Sequence, residues 1–232
     1  MKAIFNVLLI AIGMLFGTTG ERHVEETYSF GNKEIVELDF RFADEIRVNT
    51  WNKNEVQVKV RVNINENEDN DAFILKTEET GNTLKIISKI ENMNELAKRN
   101  YIVIEDEDGD TTIKGCSVEM DLFFEVMIPA SAELKIETIS GDIYVDDHRR
   151  KSKIESISGK VDYSMKSTAD ADFKLKTISG DIFTDMDLEI DHDPEEGYHH
   201  LVGGNVEARL NDGGELIKLE TISGNIYLRE KK

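Results

Sequence analysis

Hydrophobic and polar residues alternate along most of the chain with a period of two, which is typical of β-strands that bury one face. The clearest alternating run comprises Val56, Val58, Val60, Val62 and Ile64. Two further runs, 73–76 and 84–90, flank turn-forming residues at 79–82, and this arrangement predicts a β-hairpin. Only residues 92–99 have a helical pattern, and that segment is short. The pattern therefore predicts an all-β protein.

The second half of the chain contains an internal repeat. Four copies of one phrase occur: LKIETISGDIY at 134–144, KIESISGKVDY at 153–163, FKLKTISGDIF at 173–183 and IKLETISGNIY at 217–227. A degenerate copy, LVGGNV, lies at 201–206, so that five units follow one another at spacings of 18 to 24 residues. Units of this length bury their apolar faces by stacking on their neighbours. We expect a C-terminal parallel β-solenoid (β-helix-like) of about five rungs, which an N-terminal strand-rich segment caps or extends.

When the copies are aligned on their glycine, three apolar columns emerge, and we expect all three to form the core. Five residues before the glycine lie Ile136, Ile154, Leu175 and Leu219. Two before it lie Ile139, Ile157, Ile178, Val202 and Ile222, and two after it lie Ile143, Val161, Ile182, Val206 and Ile226. Three before it, a possible column of hydroxyl groups comprises Thr138, Ser156, Thr177 and Thr221.

Other columns of the repeat point outward. Lysines occupy the position six before the glycine, and mostly glutamates the position four before it, which predicts a solvated face with favourable pairing. Three residues after the glycine lie the aromatic residues Tyr144, Phe183 and Tyr227. They predict a possible ligand-binding strip for a glycan or a protein partner. The alternative is that the N-terminal strands or a loop cover them.

The charge of the chain restricts its partners. Of 232 residues, 47 are Asp or Glu and 28 are Lys or Arg, which gives a formal net charge of −19. Nucleic acid and anionic lipid both require a basic surface, so neither is expected as a main partner. The single cysteine, Cys116, excludes a disulfide scaffold. It is either a small buried residue or a thiol that pairs between molecules.

The N-terminus has the layout of a secretory signal peptide. Lys2 precedes an apolar run at 3–16, and the small residues at 17–20 suit a cleavage site after Gly20. The run is shorter than the roughly 20 residues that a spanning helix needs, although an uncleaved N-terminal anchor remains the alternative. We expect a signal peptide at 1–20, a β-rich segment at 21–130 and a repeat segment at 131–232. The mature chain would have no transmembrane segment and would be exported to the periplasm, the cell surface or the medium.

Two sets of acidic residues are candidates for chemistry. The run Asp185–Asp193 alternates strictly, so that its carboxylates share one face and offer a possible Ca²⁺ site; the alternative is a solvated edge. Asp142 and Asp181 would lie two rungs apart, a separation that suits an inverting glycosidase, but Lys160 would stand between them. We expect no cofactor, no other metal site and no catalytic residue.

The repeated TISGDI phrase, behind a signal peptide and a strand-rich segment, resembles the bacterial putative-adhesin family of β-strand-repeat proteins, a domain-of-unknown-function family. The block at 134–228 carries this resemblance. It implies an exported all-β protein of β-solenoid character and adhesion as a role, and it supplies no catalytic residues. The sequence thus predicts a non-catalytic, adhesin-like binding module of the cell envelope, with a protein or glycan partner. A structural or regulatory envelope component and a carbohydrate-active β-solenoid enzyme are the alternatives.

Overall fold

The structure is a computed structural model that describes residues 20–99, 101–105, 111–190 and 204–231, without the side chains of 99, 101–105 and 111–116. The first strands in chain order are β1 (Arg22–Ser29), β2 (Ile35–Asp39), β3 (Glu45–Trp51), β4 (Glu55–Ile64), β5 (Phe73–Thr80), β6 (Thr83–Ile90), β7 (Tyr101–Glu105), β8 (Thr111–Cys116) and β9 (Met120–Pro129). The repeat region forms β10 (Glu133–Thr138), β11 (Asp142–Asp146), β12 (Ser152–Ser158), β13 (Val161–Met165), β14 (Ala171–Ser179), β15 (Ile182–Thr184), β16 (Glu189–Ile190), β17 (Gly204–Leu210), β18 (Glu215–Ser223) and β19 (Ile226–Glu230). A 3₁₀ turn at Asn70–Ala72 and one short helix, α1 (Met93–Arg99), complete the described elements.

Most strands belong to two mixed sheets. The eight-stranded sheet has the order β1-β4-β9-β3-β11-β13-β19-β15, and the nine-stranded sheet has the order β16-β17-β14-β18-β12-β10-β2-β6-β5. In the first sheet the six strands from β9 to β15 are mutually parallel, as are the six from β14 to β6 in the second. Antiparallel strands complete both ends of the nine-stranded sheet and the β1 end of the eight-stranded sheet, whose other end is the parallel strand β15. The all-β prediction is confirmed.

Each of the four TISG copies contributes one strand to each sheet, and the TISG segment makes the bend between the two strands. Equivalent residues of neighbouring copies lie in register, as in the pairing of Ile136 with Ile154 and of Ile154 with Leu219. The N-terminal strands β2 and β3 pair in the same way with β10 and β11, although they carry no TISG phrase. Both sheets therefore run through the N-terminal segment and the repeat segment.

The copies do not stack in chain order. The last copy, β18 and β19, lies between the second copy and the third, because β18 pairs with β12 on one side and β14 on the other. The degenerate copy is not a parallel rung. Its described part, β17, pairs antiparallel with β14, with Val206 opposite Leu175, and Val202 lies outside the described residues.

The core lies between the two sheets and is formed by side chains from both. The expected column of Ile136, Ile154, Leu219 and Leu175 is buried there. In the second expected column, Ile143, Val161 and Ile226 are buried, whereas Ile182 and Val206 are partly buried and pack against the core. The N-terminal part adds larger groups, among them Phe40 and Phe124, whose rings stack at 4.3 Å. No described helix has the length and apolar character needed to cross a bilayer.

Glycine is required at the bend because successive turns of backbone touch there. Gly159 has a φ of +123°, and a Cβ at this position would overlap the carbonyl oxygen of Gly141. Gly141, with a φ of +105°, meets Ala43 of the N-terminal segment in the same way. This close approach holds the TISG bends in a column, and the side chains beside it are therefore in fixed register.

Candidate functional site

The main candidate site is a groove on the outer face of the nine-stranded sheet, beside the TISG bends. We call it the isoleucine groove. Its volume is about 500 Å³, and it is lined by Ile139, Ile157, Ile178, Ile222, Glu137, Glu155, Glu220, Thr138, Ser156, Thr221, Lys176, Asp39 and Arg41. These residues lie in strands β2, β10, β12, β18 and β14 or directly after them, so the groove crosses five neighbouring strands.

Four isoleucines form the apolar stripe of the groove. In strand order they are Ile139, Ile157, Ile222 and Ile178, with exposed fractions of 40%, 48%, 48% and 57%. The expectation that this column forms part of the core is therefore wrong. Beyond Ile139, at the β2 end of the stripe, lies Arg41. Its backbone carbonyl accepts a hydrogen bond from the Ile139 amide at 3.0 Å.

The direction of these isoleucines follows from the hydroxyl residue before each of them. Thr138, Ser156, Thr221 and Thr177 are buried. Their hydroxyls donate to backbone carbonyls at the bends, for example Thr177 to Gly224 at 2.9 Å and Ser156 to Ser158 at 3.1 Å. A buried hydroxyl is tolerated when it has such a partner. Because side chains alternate along a strand, an inward threonine places the next isoleucine outward.

A row of carboxylates flanks the isoleucines. Glu137, Glu155 and Glu220 come from three adjacent strands and lie in register two residues before the isoleucines. Glu155 is 2.6 Å from the Lys153 amine, and Glu220 is 2.7 Å from the Lys218 amine. The hydrogen bond from Lys218 lowers the pKa of Glu220 below its usual value. Glu220 is therefore ionised at neutral pH.

The chemistry of the groove suits binding. Its isoleucines offer apolar contact, and its glutamates offer acceptors for cationic groups. The lining contains no histidine, cysteine or tyrosine. Glu220, whose pKa is lowered by the hydrogen bond from Lys218, lacks the raised pKa that a general acid requires.

The aromatic residues that the sequence predicted as a ligand strip lie on the outer face of the other sheet. Phe183 is 46% exposed, whereas Tyr144 and Tyr227 are partly buried. The rings of Phe183 and Tyr227 stack at 5.1 Å with 14° between their planes. Tyr144 is separated from this pair by Asp162, which pairs in register with both tyrosines. The structure therefore brings two of the three rings together.

Cationic side chains accompany the aromatic residues. The Arg47 guanidinium lies 4.4 Å and the Lys160 amine 4.9 Å from the ring centre of Tyr144, while Arg229 lies 4.9 Å from that of Tyr227. Arg229 also forms an ion pair with Asp162 at 3.1 Å. In the described residues, neighbouring side chains therefore occupy part of this surface, and no N-terminal strand covers the exposed ring of Phe183.

The two acidic sets do not form sites in the described structure. Residues 191–193 of the acidic run lie outside the described residues, and Asp185 accepts a hydrogen bond from the Glu230 amide at 2.7 Å. No group of three or more metal-ligating side chains occurs among the described residues. Asp142 and Asp181 are three strands apart rather than two, since both Lys160 and Asn225 stand between them. Asp142 instead pairs with the Lys160 amine at 3.0 Å.

The isoleucine groove was missed because the isoleucine column was assigned to the core. The repeat itself contains the signal that would have found it. In IETIS the first isoleucine and the threonine share one face, and the glutamate and the second isoleucine share the other. Strict alternation would thus have placed the second isoleucine beside the glutamate, on the outside.

The fold is similar to that of a solved structure. A crystal structure described as that of a putative cell adhesion protein from Clostridium sporogenes has a TM-score of 0.56 at 10% identity, over 91% of this chain and 100% of that one. A putative adhesin from Bacteroides fragilis matches 92% of this chain and 99% of its own at 9% identity, with a TM-score of 0.25. No curated protein matches the sequence. At this identity, the Clostridium structure is a likeness of fold alone.

The family is shown by the sequence itself. The model of the family described as Toastrack DUF4097 matches residues 94–229, which include all four TISG copies and strands β9 to β19 up to Arg229. The match covers more than half of the chain and agrees with the resemblance that the repeats indicated. The protein therefore belongs to the Toastrack DUF4097 family.

Proposed function

We propose that the protein is an exported, non-catalytic binding module of the cell envelope, and that it binds its partner through the isoleucine groove. The observation that carries this proposal is the stripe of four isoleucines, each 40–57% exposed and aligned across four adjacent strands. Single exposed apolar residues are ordinary, but a contiguous apolar stripe rimmed by charged residues is typical of an interaction surface.

The layout of the chain supports a role outside the cytoplasm. The apolar leader at 1–20 has the order of charged, apolar and small residues that a signal peptide requires. We infer that the stacked strand pairs behave as a short β-solenoid, a scaffold that holds identical side chains at a fixed spacing. The description of the Clostridium neighbour as a putative cell adhesion protein is compatible with such a role.

Cell fractionation and an envelope-binding assay test this function. We expect the protein outside the cytoplasm, and we expect the purified protein to co-sediment with isolated envelopes of the producing bacterium. The double substitution Ile157→Ser with Ile222→Ser should weaken this binding at least tenfold. The matched control is Ile190→Ser, an isoleucine of similar exposure (43%) outside the groove, which should bind normally. Undiminished binding by the double variant would refute the role of the groove.

The aromatic strip is a second candidate surface, because the stacked pair Phe183 and Tyr227 offers an apolar platform of the kind that sugars contact. The same assay decides between the two surfaces. If Tyr144→Ala with Tyr227→Ala abolishes binding and the isoleucine variant does not, the partner is held by the aromatic strip. If the wild-type protein does not bind envelopes at all, a structural or regulatory role without adhesion is favoured.

A further inference from the structure

We propose that the isoleucine groove receives an amphipathic α-helix of a protein partner, and that this helix carries lysine or arginine residues along one side of its apolar stripe. This inference rests on the function proposed above and specifies the chemistry of the partner. It follows from three features of the groove: the spacing of its isoleucines, the position of its carboxylates and the charge of the whole chain.

The spacing of the isoleucines favours a helix over an extended peptide. The stripe runs across the strands, so neighbouring isoleucines are about 4.8 Å apart and the four span about 14 Å. A helix that lies along the stripe presents an apolar residue every turn, about 5.4 Å, and three turns cover the stripe. An extended peptide presents same-face residues about 6.8 Å apart, and these would fall out of step with the isoleucines.

The carboxylates define the charge of the partner. Glu137, Glu155 and Glu220 lie on one side of the isoleucines and span two strand spacings, about 10 Å. Lysine or arginine residues at positions i, i+4 and i+7 of a helix lie on one side over a similar length. Such side chains would reach the carboxylates from the groove, while Lys153 and Lys218 contact Glu155 and Glu220 along their own strands.

The other occupants fit less well. A second copy of this chain would bring a net charge of −19 against another −19, which opposes association. An anionic membrane would be repelled for the same reason. A glycan would find no aromatic side chain in the groove lining on which a sugar ring could stack. A basic helix satisfies both the stripe and the carboxylates, and the negative field of the chain would speed its approach.

The inference can be tested with two designed 18-residue helical peptides that share a leucine stripe. One peptide carries lysines beside the stripe and the other carries glutamates at the same positions. Fluorescence anisotropy with the purified full chain should show at least tenfold tighter binding of the lysine peptide at physiological salt. Ile157→Ser with Ile222→Ser should weaken that binding at least tenfold. Glu155→Gln with Glu220→Gln should weaken it severalfold, whereas Glu207→Gln, an exposed glutamate that pairs with Lys174 at 2.8 Å, should not.

Several outcomes would overturn the inference. Equal binding of the two peptides would show that the carboxylates do not select the partner. If the lysine peptide binds equally well to the wild type and the isoleucine variant, its affinity results only from general electrostatic attraction to an acidic protein. A dimer that the isoleucine substitutions dissociate, detected by analytical ultracentrifugation, would identify a second copy as the occupant. If neither peptide binds but envelope binding still depends on the isoleucines, the helix is wrong and the proposed function stands.

Discussion

His148 is a fully buried histidine whose two ring nitrogens both have hydrogen-bond partners. Nε2 lies 2.8 Å from the carbonyl oxygen of Ala132, and Nδ1 lies 2.9 Å from the hydroxyl of Ser152. Because a carbonyl can only accept, Nε2 carries a proton and donates to Ala132, and in a neutral ring Nδ1 is then an acceptor for the Ser152 hydroxyl. The hydroxyl of Tyr163 donates to the backbone carbonyl of His148 at 2.7 Å and completes the cluster. The arrangement fits a neutral imidazole.

Burial lowers the pKa of His148 below its ordinary value of 6.5; the nearby Arg150 lowers it further, while the Ala132 hydrogen bond and Glu215 oppose the shift. The unfolded chain then binds the proton more readily than the native protein, and stability rises with pH. This contribution is complete above about pH 6.5 and is lost as the pH falls below that value.

We therefore expect the free energy of unfolding in urea to fall between pH 7.5 and pH 5, by about 1.4 kcal/mol for each unit of pKa difference. His148→Gln, which keeps a donor and an acceptor, should remove most of this dependence. The control is His23→Gln, which removes an imidazole that is 70% exposed instead of the buried one. A profile that persists in His148→Gln would assign the effect to other groups.

At the scale of strands, the order of the repeats decides the stability of the repeat segment. The C-terminal copy fills the space between the second and third copies, so β18 is a central strand with partners on both sides. On the other side of β14, β17 pairs antiparallel and covers what would be an exposed edge. The C-terminal copy is therefore a central part of the sheet and is not an additional rung at the edge of the sheet.

This order can be tested by cysteine pairs at exposed positions of the isoleucine groove, in a Cys116→Ser background. Ile157 and Ile222 occupy adjacent strands, whereas Ile157 and Ile178 are two strand spacings apart, about 9.6 Å. A disulfide requires Cα atoms within about 7 Å. We expect Ile157→Cys with Ile222→Cys to cross-link on mild oxidation, and Ile157→Cys with Ile178→Cys to stay reduced, as judged by non-reducing gels and mass spectrometry. The reverse result would establish stacking in chain order.

The sequence predicted the parts of this architecture that follow from local pattern. Alternation located the strands, and the repeat predicted parallel pairing and the buried column of Ile136 and Ile154. The order of the copies could not be predicted, because β14 and β18 carry almost the same residues and either fits against β12. The contribution of β2 and β3 was also hidden, since these strands lack the TISG phrase. The outward isoleucines were predictable, but only if alternation is followed up to the bend.

At the scale of the whole molecule, excess negative charge coexists with many local ion pairs. The described residues contain exposed cross-strand pairs such as Lys174 with Glu207 at 2.8 Å and Arg209 with Asp172 at 3.2 Å. Exposed pairs of this kind contribute little each, typically below about 1 kcal/mol. The net charge of −19 means that most pairs of charges beyond these contacts repel one another. Repulsion between the excess carboxylates acts over distances that salt readily screens. At low ionic strength this repulsion therefore outweighs the attraction within the local ion pairs.

We accordingly expect the protein to become more stable as salt is added. Raising NaCl from 10 to 300 mM shortens the screening length from about 30 Å to about 6 Å and should raise the midpoint of thermal unfolding by a few degrees. Calorimetry in sodium chloride and in choline chloride measures the midpoint of thermal unfolding at each salt concentration. Screening predicts the same rise with both cations, because choline is too large to occupy a metal site. A rise with sodium alone would indicate a specific cation site, and a fall with both would mean that the local ion pairs outweigh the repulsion of the excess carboxylates.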